Sequence, residues 1–219
     1  SGNTWLKLFL SAYLGNHSDP KTFDINKMMI PFSLFPTNSL IKKFNVDYSN
    51  FSNLSKNWIP MQEYLNLTHE TIFLKTHNAM CEINGSPFTD SKQSLGGIYL
   101  VRDPRDVIMS YSDHLNKNPR EVAARLVKSN TFEEGIIDGE NYNFTLLGSW
   151  SDNYNSWKNY KGVNILIIKF EDLINNTFLT FEKIIKYLSS ITKISVSKDR
   201  INECMQITKF ENLKNLEIK

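Results

Sequence analysis

Three short apolar runs without alternation, at 71–75, 98–101 and 164–169, punctuate a chain otherwise built from longer stretches of helical period. Continuous apolar runs of this length suit strands that helices cover on both faces, the environment of a parallel sheet. The helical stretches fall at 4–14, 60–66, 104–115, 119–129, 145–159, 178–189 and 197–206, with Asn118-Pro119 and Ser195 as helix-start signals. Alternation of the two kinds of segment predicts an α/β fold. Between them, region 15–58 is of mixed polarity, rich in Asn and Ser and broken by Pro20, Pro31 and Pro36, and reads as a long irregular excursion. Segment 82–95, with Gly85 and Pro87, reads as the lip of a pocket. Segment 130–143, with Gly135, Gly139 and several acidic residues, reads as a mobile gate.

Composition narrows the classes. A chain of 219 residues is long enough for one α/β domain with a substantial core, taken here as residues 1–219. Hydrophobic residues make up 41% and the formal net charge is +2, so neither disorder nor a polyanion-binding surface is implied. Lys and Arg are scattered, with no basic run that points to nucleic acid. Cys81 and Cys204 lack metal-like spacing and read as two buried thiols in a reducing compartment, a disulfide being the alternative. No stretch approaches the roughly 18 consecutive apolar residues of a membrane-spanning helix. Residues 5–14 are apolar but have no basic leader or cleavage site, so they do not read as a signal peptide.

Three segments carry candidate chemistry. In Tyr99-Leu-Val-Arg102-Asp-Pro104-Arg105-Asp-Val-Ile-Met-Ser110-Tyr111 a strand runs into a helix start. Pro104 suits the first helical position and Asp103 can cap it. Arg102 at the strand end and Ser110 two turns into the helix can grip one small anion, the first as a charged fork and the second as a neutral donor. The chain opens Ser1-Gly2-Asn3-Thr4-Trp5 and continues as an apolar helical run to Leu14. A small-residue turn feeding a helix aims backbone N–H groups and the positive end of the helix dipole at an anion. Gly2 permits close approach there, and Ser1, Asn3 and Thr4 add side-chain donors. The third segment, Thr71-Ile-Phe-Leu-Lys75-Thr76-His77-Asn78-Ala79, delivers Lys75 and His77 at i and i+2, on one face if extended backbone persists. Histidine titrates near neutral pH and suits a general base; the alternative is a hydrogen-bonded loop histidine. His17, His69 and His114 have no comparable setting.

These segments together resemble the sulfotransferases that use 3′-phosphoadenosine 5′-phosphosulfate. Residues 99–111 resemble their 3′-phosphate motif. The opening is similar to their 5′-phosphosulfate loop, which normally reads Pro-Lys-Ser-Gly-x-Thr-Trp behind a buried strand, and Lys75-Thr76-His77 resembles their Lys-Thr-His segment. The Asn-Ala that follows is similar to bacterial members. Weaker matches lie at Lys169-Phe170-Glu171-Asp172, where Phe170 stands for the family's Tyr, and at Ile207-Thr208-Lys209-Phe210, which resembles the stretch closing over adenine.

The resemblance implies a three-layer α/β/α fold with a central parallel sheet, related to P-loop nucleotide kinases. It implies sulfuryl transfer from 3′-phosphoadenosine 5′-phosphosulfate, as co-substrate and with no metal, to a hydroxyl or amine acceptor. His77 would be the base, and Lys75 would stabilise charge on the bridging oxygen. Ser1, Gly2, Asn3 and Thr4 would hold the 5′ end, and Arg102 and Ser110 the 3′-phosphate. Trp5 and Phe210 would sandwich the base, beside Phe170 and Thr208. The acceptor would be a small molecule, glycan or lipid and the setting cytoplasmic; the sequence leaves a homodimer open. The family's loop lysine would precede Ser1 and its Arg-Lys-Gly stretch would follow Lys219, so the chain reads as a domain trimmed at both ends, with impaired activity expected. Two other functions fit less of the sequence: a P-loop kinase-like phosphotransferase, for which no Gly-Lys-[Ser/Thr] is seen, and a non-catalytic nucleotide-binding module.

Overall fold

Gly2, in the left-handed region at φ 72°, caps the first helix of the computed structural model, α1 (Asn3–Leu14). The structure describes residues 2–15, 32–68, 70–137 and 139–209. After α1 come β1 (Ser33–Leu34), α2 (Asn38–Lys43), α3 (Phe51–Ser55), α4 (Trp58–Asn66), β2 (Leu74–Lys75), β3 (Glu82–Ile83) and β4 (Ser86–Pro87). Then follow β5 (Gly97–Val101), α5 (Pro104–Leu115), α6 (Pro119–Leu126), β6 (Phe132–Ile137) and β7 (Glu140–Leu146). The described elements end with α7 (Trp150–Asn159), β8 (Ile165–Lys169), α8 (Phe170–Asn175), α9 (Thr177–Ile191) and α10 (Lys198–Ile207). The mixture is α/β, as the pattern predicts.

Local side-chain chemistry sets the helix starts. Asp103 accepts from Arg105 N at 2.9 Å with Pro104 at the first position of α5, and Asn118 accepts from Arg120 N at 2.9 Å ahead of Pro119 and α6. Ser149 and Asp152 form a reciprocal capping box at the start of α7. The start signal near the C-terminus lies at Ser197, whose hydroxyl accepts from Arg200 N at 3.2 Å, and not at Ser195. The backbone of Ser195 is used differently, its carbonyl accepting from the Tyr13 hydroxyl at 2.9 Å.

Among the described residues the strands pair two by two. β1 runs parallel to β2, with Ser33 opposite Leu74 and Leu34 opposite Lys75. β3–β4 and β6–β7 are antiparallel, and β5 pairs with β8. Asn84 (φ 50°) and Gly85 (φ 81°) turn β3 into β4, the pair of left-handed residues that a two-residue hairpin demands.

Several sequence expectations are corrected here. Segment 130–143, expected as a mobile gate of irregular chain, is for the most part the β6–β7 hairpin, which buries Ile137, Tyr142 and Phe144. The same hairpin cuts back the helix expected over 145–159, which begins only at Trp150, because Tyr142 and Phe144 point inward at the two-residue period of a strand. The strand expected over 71–75 shrinks to Leu74–Lys75, and Thr71 and Ile72 are exposed. In the described part of region 15–58, α2, α3 and the start of α4 replace irregular chain.

The chain divides into two compact units, one comprising Ser1–Phe32, Leu100–Arg102 and Leu166–Lys219, the other Ser33–Tyr99 and Asp103–Ile165. In the first, Phe9 and Phe181 are fully buried and stacked at 3.7 Å between centroids. α1 is tied to the chain around α10: the Tyr13 hydroxyl accepts from Ser197 N at 2.9 Å, and Arg200 Nη2 donates to Ala12 O at 2.6 Å. In the second unit Trp58, fully buried, meets Phe88 and Phe51 edge to face at 5.2 and 5.6 Å. Phe35, Met61, Ile137, Tyr142 and Phe144 belong to the same core. Each such side chain contributes about 1.5–3 kcal/mol when it leaves water, which is what holds two-residue strands such as β1 in place.

Candidate active site

In the first unit an aromatic ring joins two of the predicted anion-binding segments. Phe170 opens α8 directly after β8. The Arg102 guanidinium carbon stands 4.7 Å from the centroid of its ring, and a Cβ placed on Gly2 would lie 2.6 Å from its Cδ2. Gly2 is therefore demanded twice, by its positive φ and by the ring against it. It gives α1 no side-chain cap, and no acidic residue sits in the helix's first turn. Leu6 N makes the first helical bond, to Gly2 O at 2.9 Å, so the amides of Asn3, Thr4 and Trp5 precede the ladder. An anion fits this helix start better than a cation or a neutral group would.

The remaining predicted donor-site residues divide. Asn3 is half-buried and Thr4 exposed. Trp5 packs its ring edge-to-face on Phe181 at 5.4 Å, and among the described residues its Nε1 is buried without an acceptor. Thr208 is fully buried and its hydroxyl donates to Cys204 O at 2.8 Å, closing the end of α10. Ser1 and Phe210 lie outside the described residues. Arg102 and Ser110 fall in different units; Ser110 is exposed on α5. Arg105, four-fifths exposed or more, pairs with Asp103 at 2.6 Å. Its side-chain hydrogen bond, then its backbone N–H, hold the Asp103 carboxyl at about 2.

The second unit holds Lys75 and His77, both half-buried. β2 ends at Lys75, whose carbonyl accepts from Phe35 N at 2.8 Å. Hydrogen bonds tie His77 and the residues after it to α7 and β7. Asn153 Nδ2 donates to His77 O at 3.2 Å, Trp157 Nε1 to Asn78 O at 2.9 Å, and Met80 N to Ser156 Oγ at 2.9 Å. Asn78, only 2% exposed, accepts from Leu146 N at 2.8 Å through its side chain, and Ala79 N donates to Leu146 O at 2.7 Å. Asn153, Ser156 and Trp157 carry no motif; the one signal was their i, i+3, i+4 spacing on a predicted helix. Glu133 on β6 adds a carboxyl that burial pushes up in pKa, opposed by nearby Lys75, Arg125 and His114.

Both cysteines are free, Cys204 buried and Cys81 half-buried, and burial pushes the Cys204 thiol up to about 11. Among the described residues no helix is long and apolar enough to cross a membrane.

The Sulfotransferase domain family matches the chain over residues 1–219. Cytosolic sulfotransferase 12 of Arabidopsis thaliana is 24% identical over 225 residues, covering 100% of this chain and 61% of that protein. The 3-alpha-hydroxysteroid sulfotransferase of Cavia porcellus is 30% identical over 97 residues, 44% of this chain and 32% of that protein. The chain thus spans less than two thirds of the length of these curated relatives. A crystal structure of mouse sulfotransferase SULT7A1 complexed with PAP shares the fold at a TM-score of 0.50 and 19% identity, over 70% of this chain and 52% of that one.

Proposed function

This chain belongs to the sulfotransferase domain family, and from that premise we propose that it transfers a sulfuryl group from 3′-phosphoadenosine 5′-phosphosulfate to a hydroxyl or amine acceptor. The observation that carries the reading is the Gly2–Phe170–Arg102 contact, which brings an uncapped helix start and a guanidinium against one ring. The PAP bound by the mouse structure supports the same nucleotide here. Gly2, Asn3 and Thr4 take the 5′ end, Arg102 the 3′-phosphate, and Trp5 and Phe170 the base; the part given to Ser110 at the 3′-phosphate rests on the sequence alone. The roles assigned to Ser1, Thr208 and Phe210 rest on the sequence alone.

When bound, the nucleotide supplies the sulfuryl group and a phosphate leaving group. His77 accepts the acceptor's proton as the acceptor oxygen or nitrogen bonds to sulfur and the bond to the 5′-phosphate breaks. Lys75 offsets charge on the departing oxygen. The chain's work is positioning and electrostatics, by analogy with phosphoryl transfer. The acceptor is a small molecule, glycan or lipid, and the cytosolic relative supports a cytoplasmic setting.

Calorimetry with 3′-phosphoadenosine 5′-phosphate (PAP) and 5′-AMP, with and without Arg102→Ala, tests the donor site. A preference for PAP that the substitution abolishes is expected, and equal affinity for both nucleotides would overturn the assignment. Turnover from the sulfated donor, lost in His77→Ala with PAP affinity retained, tests the base. Magnesium-dependent ATP turnover would instead favour a kinase.

A further inference from the structure

One face of α7 presents three side chains to the main chain around His77. Asn153, Ser156 and Trp157 stand at i, i+3 and i+4 and so lie side by side. They bond in turn the carbonyl of His77, the N–H of Met80 and the carbonyl of Asn78. Asn153 is the most fully committed of the three. Its Nδ2 also donates to Leu147 O at 2.8 Å, and its Oδ1 accepts from the Tyr99 hydroxyl at 2.9 Å. Burial, and to a lesser degree Tyr154, push the Tyr99 hydroxyl up to about 12, so it stays a donor across the working pH range. With Oδ1 taken by that donor, both N–H bonds of the amide face carbonyls, His77 on one side and Leu147 on the other.

We infer that Asn153 is a positioning residue for His77, with Tyr99 setting the orientation of its amide. The inference rests on the reading of His77 as general base. β2 ends at Lys75, two residues before His77. The Asn153 amide holds the His77 carbonyl from α7, while β7 holds the following residues through Asn78 and Ala79. Trp157 reinforces it twice, by its bond to Asn78 and by stacking on Tyr99 at 5.6 Å. A base must come within hydrogen-bond reach of the proton it takes, and a displacement of about 1 Å costs on the order of 100-fold in rate.

The test compares Asn153→Asp, Asn153→Ala, Tyr99→Phe and His77→Ala with the parent chain. Asn153→Asp keeps the shape and loses both donors. It is expected to lower kcat by about 10- to 100-fold, the size expected of a misplacement of up to about 1 Å, while the PAP Kd moves less than about twofold. It also displaces the acid limb of the kcat/KM profile that His77 sets, and it speeds hydrogen exchange at the Asn78, Ala79 and Met80 amides. Tyr99→Phe moves the same readouts in the same direction by less, and it carries the test should Asn153→Ala not fold. Parent-like kcat, pH profile and exchange in Asn153→Asp would overturn the inference while leaving His77 as base. Retained turnover in His77→Ala would instead overturn the base, and with it the reason for positioning it.

Discussion

The Arg102 guanidinium lies over the face of Phe170, 4.7 Å from the ring centroid, while the edge of the same ring closes on Gly2. A guanidinium over a ring face is attracted by the ring's electron-rich surface and carries a planar fork of donors, which a Lys ammonium does not reproduce. Phe170→Leu should therefore weaken PAP binding by about 0.5–1 kcal/mol, some two- to fivefold in Kd, with Phe170→Tyr close to the parent. Titration calorimetry on the three chains checks this; a Leu variant that binds like the parent would remove the ring from the site.

Gly2→Ala places a methyl 2.6 Å from Phe170 Cδ2 on a backbone at φ 72°. Both effects disfavour the fold of the first unit, so the variant should melt lower and bind PAP more weakly. In a Phe170→Ala background the contact disappears and only the backbone strain remains. The double mutant should then lose less than the sum of the singles, and additive losses would show that the ring does not press on Gly2.

Phe181 is fully buried, stacked on Phe9 and met edge-on by Trp5. Phe181→Ala should cost about 3–5 kcal/mol, read as a lower urea midpoint, and should disturb the helix that begins beside Gly2. A loss below 1 kcal/mol, taken as about the smallest cost of a core truncation, would contradict this packing.

Asp103 caps α5 with its carboxyl held at about 2, below the ordinary value of 3.8, by the Arg105 side chain first and its backbone N–H second. A lowered folded-state value means stability that is full above the ordinary range and lost as pH falls through the folded one. Asp103→Asn still caps the helix but does not titrate. The parent's advantage over Asp103→Asn should be constant from pH 7 to 5, shrink below 4 and vanish near 2, as thermal melts across that range would record. A difference independent of pH would rule out the ionised cap.

Much of this arrangement was legible beforehand where the signal is local. Asp103-Pro104 and Asn118-Pro119 announced their helices because a cap needs only its own side chain and the next few amides. Strands 98–101 and 164–169, read from short apolar runs of strand length, were found nearly to the residue, whereas the run at 71–75 kept only Leu74–Lys75. The β6–β7 hairpin was missed because Gly and acidic residues resemble a loop in sequence, and only packing against Trp58's neighbours makes Tyr142 and Phe144 inward strand residues.

The chain's order of residues sufficed to name its chemistry: a small-residue turn before a helix, an arginine at a strand end, a lysine and histidine two apart. Those are properties of short segments, in which charge, donor type and backbone freedom travel with the residue. Which groups meet was settled by folding alone. That Phe170 would pass between Arg102 and Gly2, or that Asn153 would reach back 76 positions to the carbonyl of His77, depends on non-local packing, which no short segment encodes. Contacts between distant segments are won by burial against competing arrangements of the whole chain.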